Sequence, residues 1–209
     1  MQLRHAATSP YARKARVLAH EAGLTDRIEL IDTNPYEQGS DLRSINPLST
    51  VPVLITDDGM AICDSPVICQ YLDSLHDGAK FSPESGKSRF EDLNLEALAD
   101  GLLDASLSRM SEIRLRPEEF QWNGHHKRMR AKVSRTLDLF EQMVTDGSLP
   151  TIALDDRPSI GIITVGCALG YLDLRFAADN WRDGRPALTV WYETFSARPS
   201  MQETRPPEA

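Results

Sequence analysis

Residues 46–65 read Asn46-Pro47-Leu48-Ser49-Thr50-Val51-Pro52-Val53-Leu54-Ile55-Thr56-Asp57-Asp58-Gly59-Met60-Ala61-Ile62-Cys63-Asp64-Ser65, and their punctuation decides the fold. Val51 to Ile55 is a β-branched apolar run, Asp57-Asp58-Gly59 is a turn, and Met60 to Cys63 is a short partner strand, which together predict a β-hairpin. Asp64-Ser65-Pro66 then opens a helix with apolar positions Val67, Ile68, Tyr71, Leu72 and Leu75. Upstream, Ser9-Pro10 starts a helix carrying Tyr11, Ala15, Leu18 and Ala22, stopped by Gly23. Arg27 to Ile31 alternates as a strand does. The order β-α-β, then a hairpin, then α predicts a small sheet of the α/β class over residues 1–78.

The remainder has another texture. Asp77 to Gly86 is dense in turn formers, which places a linker over 79–88 and a second, all-α unit over 89–209. Phe90, Leu93, Ala97, Leu98, Leu102 and Met110 recur at helical spacing, as do Met129, Val133, Leu137, Phe140 and Val144. Ile160–Leu172 is apolar nearly all round, the pattern of a helix at the centre of a bundle. Ala187–Phe195 predicts a last helix. Arg198 to Ala209, with three prolines, predicts coil.

The chain has 209 residues, 23 basic and 31 acidic, for a formal charge of −8. That balance argues against a nucleic-acid partner, because neutralising phosphates takes a dense basic face. Cys63, Cys69 and Cys167 form no CxxC and no metal-ligand spacing, which fits a reducing compartment and no bound metal. The first residues carry charge and no apolar leader run, and Ser159–Leu172 falls short of the ~20 apolar residues a membrane span needs. The expectation is a cytoplasmic protein with no membrane partner.

Three loop segments fall at strand–helix junctions of the predicted sheet: Thr8 to Tyr11, Asn46 to Pro52, and Asp64-Ser65. Functional loops converge at such junctions. Ser9, at a helix start, faces free backbone N–H groups and the positive end of the dipole, where a ligand thiolate is stabilised; it equally serves as a plain helix cap. Val51-Pro52 enters a strand either as a trans edge proline or as a cis turn offering backbone to an extended peptide. Asp64-Ser65 suits the ammonium and carboxylate of an amino-acid-like ligand, or is again a cap. His125-His126 sits before a basic helical face and reads as solvated surface, and Trp122, Trp181 and Trp191 read as packing residues. Cys63 and Cys69 read as lying in or near the core.

Taken together, the Ser-Pro-Tyr helix start, the Asn-Pro…Val-Pro loop, the Asp-Ser helix start, the Ser159–Leu172 helix and the ending Ala197-Arg198-Pro199-Ser200 resemble the cytosolic glutathione S-transferases, bacterial members most. The resemblance covers essentially the whole chain. It implies a thioredoxin-like domain followed by a helical domain, a homodimer, and glutathione as co-substrate. It places Ser9 at the position that activates the glutathione sulfur, Val51 where the backbone pairs with the cysteinyl part, and Pro52 at the cis-proline. Asp64 and Ser65 match the pair that binds the γ-glutamyl end. A small hydrophobic electrophile would occupy a pocket between domains beside Tyr11, Arg109 and Met110.

The activity so implied is thiolate attack on an electrophilic carbon in detoxification, with a non-catalytic glutathione-binding or regulatory protein as the alternative. A serine at position 9 disfavours mixed-disulfide chemistry through that residue. Thr50 stands where many relatives carry lysine near the glycyl carboxylate, and Thr8 is a second hydroxyl beside Ser9. Ile162 replaces the aspartate of a capping box after Ser159, which predicts a weakened helix start.

Overall fold

The computed structural model describes residues 1–39 and 41–207. β1 (Gln2–His5) leads to α1 (Pro10–Glu21), β2 (Glu29–Asp32), α2 (Leu42–Ile45), β3 (Val53–Ile55), β4 (Ala61–Ile62) and α3 (Ser65–Ser74). The strands lie in the order β2-β1-β3-β4, with β2 parallel to β1, β3 antiparallel to β1, and β4 antiparallel to β3. Helices alone follow: α4 (Gly86–Leu115), α5 (Asn123–Thr145), α6 (Ile160–Phe176), α7 (Pro186–Ser196) and α8 (Pro199–Glu203), linked in places by single 3₁₀ turns. This is the expected thioredoxin-like sheet followed by a helical domain. The strand expected from Arg27 starts later, because Arg27 and Ile28 donate backward to Leu24 and Thr25 in a 3₁₀ turn.

α1 is buried on almost every side because it lies between the sheet domain and the bundle. Its polar residues therefore need partners in both. Lys14 is fully buried and its ammonium meets Glu96 Oε1 at 3.1 Å and Asp100 Oδ2 at 2.8 Å, both on α4. Burial pulls that ammonium down, but the Cys69 sulfur and the two carboxylates together outweigh it and hold Lys14 above its ordinary value, charged at all physiological pH. Glu21 at the other end of α1 takes a fork from Arg198 (2.8 and 2.9 Å) and a 2.5 Å bond from Ser200.

The α4 stripe needs correcting. Leu102 is buried and Leu93, Leu98 and Met110 are half-buried, but Phe90 is 71% exposed and Ala97 also faces outward. The inward face instead includes Asp92, Glu96 and Ser106, polar residues that periodicity counts as solvent-facing. Each is buried because it has a partner: Gly161 N–H, Lys14 and the Leu102 carbonyl respectively. The α5 stripe is as expected, with Met129, Val133, Leu137 and Phe140 buried.

Ile160 to Leu172 are all buried, and α6 is the bundle's centre, packed by α1, α4 and α7. Ile160–Asp179 is long and apolar enough, by composition, to cross a membrane, more than the charge-free stretch alone suggests; 78% of its most apolar window is buried inside the protein. Its start is better held than the missing capping box implies. Ser159 Oγ accepts from Ile162 N at 3.3 Å, and Asp92 reaches across from α4 to accept from Gly161 N at 2.9 Å. A Cβ at Gly161 would stand 2.6 Å from that carboxylate, so only glycine admits this cap.

Three further expectations change. Pro199–Glu203 is helical rather than coil, because Arg198 also binds the carbonyls of Ala153 and Asp156 and docks the segment; Glu208 and Ala209 lie outside the described residues. Cys63 is exposed, at the end of an edge strand, while Cys69 and Cys167 are buried. Trp122 is 64% exposed, ahead of α5, whereas Trp181 and Trp191 pack inside.

Replacing Lys14 by methionine strands two carboxylates in a dry interface. Lys14→Met is expected to lose about 3–5 kcal/mol of unfolding free energy, read from urea denaturation.

Candidate functional site

The strand register brings the three loops together. Arg4 pairs with Val53 and Leu54 with Ile62, so the outgoing end of β1, the start of β3 and the outgoing end of β4 share one edge of the sheet. Ser9, Val51-Pro52 and Asp64-Ser65 are the residues that leave or enter the sheet there.

Ser9 is the N-cap of α1, its Oγ accepting from Ala12 N at 3.3 Å. A hydroxyl has one proton and two lone pairs, so the cap consumes an acceptor and leaves the donor unspent. The two readings of Ser9 are therefore compatible. Thr8 is half-buried beside it.

The middle loop is shaped by Asn46, which is fully buried. Its amide donates to Thr50 O and Oγ1 at 3.0 and 3.1 Å, and its carbonyl accepts from Leu48 N at 3.0 Å. Thr50 is exposed with its hydroxyl engaged by Asn46, Val51 is half-buried, and Pro52 is buried. The Val51–Pro52 peptide is cis. Among the described residues the Val51 N–H and C=O make no hydrogen bond, which leaves an open backbone edge for an extended peptide.

Asp64 is the N-cap of α3, accepting from Ser65 N, and its peptide with Cys63 is also cis. Asp64 is exposed whereas Ser65 is fully buried, and Ser65 Oγ has no hydrogen-bond partner among the described residues. A buried hydroxyl without a partner is a costly state unless a ligand completes it.

On the α4 side, the Tyr11 hydroxyl donates to Asp104. Burial, with that carboxylate second, drives the phenol far above its ordinary range, so it stays protonated. Met110 is half-buried. The Arg109 guanidinium is committed to Asp179, which accepts from Nη2 at 3.1 Å, and it stacks 4.3 Å over the Phe176 ring. Charge pattern alone did not reveal Asp104 or the hub role of Asn46; the Asn-Pro pair was the only trace of the latter. His125 bonds Ser108 Oγ at 3.0 Å, and no group of three or more metal-ligating side chains occurs among the described residues.

Residues 8–75 match the family described as "Glutathione S-transferase, N-terminal domain", and residues 123–194 match "Glutathione S-transferase, C-terminal domain". The chain belongs to the glutathione S-transferase family. It is 35% identical over 209 residues, the full length of both chains, to the uncharacterized GST-like protein YibF of Escherichia coli K12. Among solved structures, a glutathione transferase family member from Pseudomonas fluorescens Pf-5 with bound glutathione superposes with a TM-score of 0.90. It is 39% identical, with 99% of this chain and 98% of that one covered. A glutathione S-transferase from Methylobacillus flagellatus KT with glutathione bound gives 0.89 at 33% identity over 99% of each chain. The glutathione S-transferase assignment thus holds over both halves.

Because Ser65 Oγ is buried without a partner, Ser65→Ala is expected to leave the ligand-free protein as stable as the parent or about 1 kcal/mol more stable. Chemical denaturation without ligand checks this.

Proposed function

We propose that this glutathione S-transferase family member binds glutathione at the shared sheet edge and activates its sulfur for attack on a small hydrophobic electrophile. The observation that carries the reading is the coincidence of three unused hydrogen-bonding groups at that edge: the Ser9 O–H, the Val51 backbone and the buried Ser65 hydroxyl. The tripeptide's cysteinyl unit pairs with Val51. Its γ-glutamyl carboxylate meets Ser65 and the N–H groups opening α3, and its ammonium meets Asp64. The glycyl end lies toward Thr50.

The Ser9 hydroxyl donates to the thiolate, which also feels the positive end of α1. Stabilising the thiolate lowers the thiol pKa and releases its proton to water. In a substitution, the sulfur electron pair forms the new C–S bond as the leaving group departs with its own pair. The electrophile sits between the domains along Tyr11 and Met110, with Arg109 holding that wall by its bond to Asp179. The glutathione-bound relatives support this reading, as does the fit of Ser65 to a carboxylate. We place the unit boundaries at 1–78, 79–88 and 89–209, and the protein in the cytoplasm.

Ser9→Ala removes a hydrogen bond to an ion, about 1.5–3 kcal/mol. The pKa of bound glutathione, read by ultraviolet thiolate titration, should rise by about 1–2 units, and turnover in a chlorodinitrobenzene assay should fall with it. An unchanged titration assigns the sulfur to Thr8 or to backbone donors.

A homodimer is part of the same reading. Phe90, Ala97 and Gly101 lie along one outward face of α4, a flat stripe with one large apolar residue 71% exposed. Phe90→Asp is expected to shift the protein from dimer to monomer in sedimentation, with the circular dichroism of the fold retained.

A further inference from the structure

Tyr11 and Arg13 point from opposite sides of α1, two residues being about 200° of helix. On the Arg13 side, a crevice of about 430 Å³ opens between α1, the C-terminal half of α6, α7, and the segment through and after α8. Arg13, Gly170, Asp173, Arg182, Tyr192 and Arg205 are among its walls, and none of Ser9, Thr50, Val51, Pro52, Asp64 or Ser65 contributes to it.

Its polar groups are incompletely used. Arg13 is 5% exposed, yet no carboxylate among the described residues pairs with it. Nη2 donates to the Met201 carbonyl at 2.9 Å and Nε to Thr204 Oγ1 at 3.5 Å, while Nη1 has no partner among the described residues. Lys14, the next residue, meets two carboxylates under the same burial. A buried cation without a counter-ion is expensive, so the difference between these neighbours makes Arg13 the group an anionic ligand would satisfy.

Tyr192 is 8% exposed and its hydroxyl makes no hydrogen bond among the described residues. Burial pushes the phenol up to about 12, so the hydroxyl remains a donor. Trp181 (5.8 Å, edge to face) fixes its ring. Asp173 does not neutralise Arg13, since Arg182 holds it through Nη1 and Nη2 at 2.5 and 2.8 Å and Trp181 through Nε1 at 2.7 Å.

The free donors are neighbours. A Cβ at Gly170 would lie 2.5 Å from Arg13 Nη1 and 2.8 Å from Tyr192 OH, so both groups pack against this glycine of α6, where no side chain could stand. Arg205 stands exposed at the rim, its guanidinium without a partner among the described residues.

We propose that this crevice is a second ligand site, separate from the glutathione groove, for a short organic diacid. One carboxylate enters the crevice and accepts from Arg13 Nη1 and Tyr192 OH on its wall, and the other meets Arg205 at the rim. Two donors held side by side against one glycine suit the two oxygens of a planar carboxylate, and the crevice is larger than inorganic phosphate requires. The site does not depend on the glutathione reading.

Succinate is the probe, titrated calorimetrically into the full-length protein with and without saturating glutathione, against sodium phosphate and acetate. Saturable succinate binding is expected with equal affinity in both states, tighter than phosphate or acetate. Tyr192→Phe should weaken it about tenfold or more, as for one lost hydrogen bond to an ion. The melting temperature of that ligand-free variant should match the parent, because the hydroxyl bonds nothing in the chain. The proposal is overturned if succinate does no more than sodium chloride of equal ionic strength or if glutathione displaces it. Phosphate binding as tightly, or Tyr192→Phe binding as the parent does, overturns it equally.

Discussion

The ammonium of Lys14, sealed between α1 and α4 against Glu96 and Asp100, is the constraint around which the two halves are arranged. A charge taken wholly out of water tolerates little displacement of its partners, so it sets the depth and rotation at which α1 seats against the bundle. Everything on α1 inherits that setting. Ser9 is held at its position at the sheet edge, Tyr11 reaches Asp104, and Glu21 lies where Arg198 and Ser200 grip it. A helix shared by two cores is thus aligned by polar contacts along its length, with apolar packing filling between them.

The same helix explains how a site can lie at the sheet edge and still depend on the bundle. Ser9 caps α1 and Asp64 caps α3, so the groups proposed to touch ligand are also the groups that begin helices. Their remaining hydrogen-bonding capacity is what distinguishes a site from a cap: an unspent proton on Ser9 and an orphaned hydroxyl on Ser65. Asn46 belongs to this scheme at one remove, because its four-residue loop presents the Val51 backbone.

Much of this was legible in the chain. The hairpin over 51–63, the helix starts at Ser9-Pro10 and Asp64-Ser65, and the all-apolar run of α6 follow from local chemistry, namely turn residues, caps and periodicity. The outward turn of Phe90 and the inward turn of Asp92 and Glu96 were not legible. Periodicity assumes that apolar residues choose the buried face, and α4 breaks the assumption wherever a distant partner satisfies a polar one. Arg198-Pro199-Ser200 misled for a related reason: prolines suggest coil, but Glu21, 177 residues earlier for Arg198, supplies the anchor that makes the segment helical.

By itself the sequence determined the order of elements, the position of each loop residue proposed to touch ligand, and the burial of the central helix, because each depends on residues within a turn or two of one another. Only the tertiary structure decided which hydroxyls remain unpartnered, which cations meet carboxylates and which do not, and which face of the longest helix is dry. Those outcomes depend on pairs far apart in the chain, such as Lys14 with Asp100, Asp92 with Gly161 and Arg13 with Met201, and no local pattern records who stands opposite.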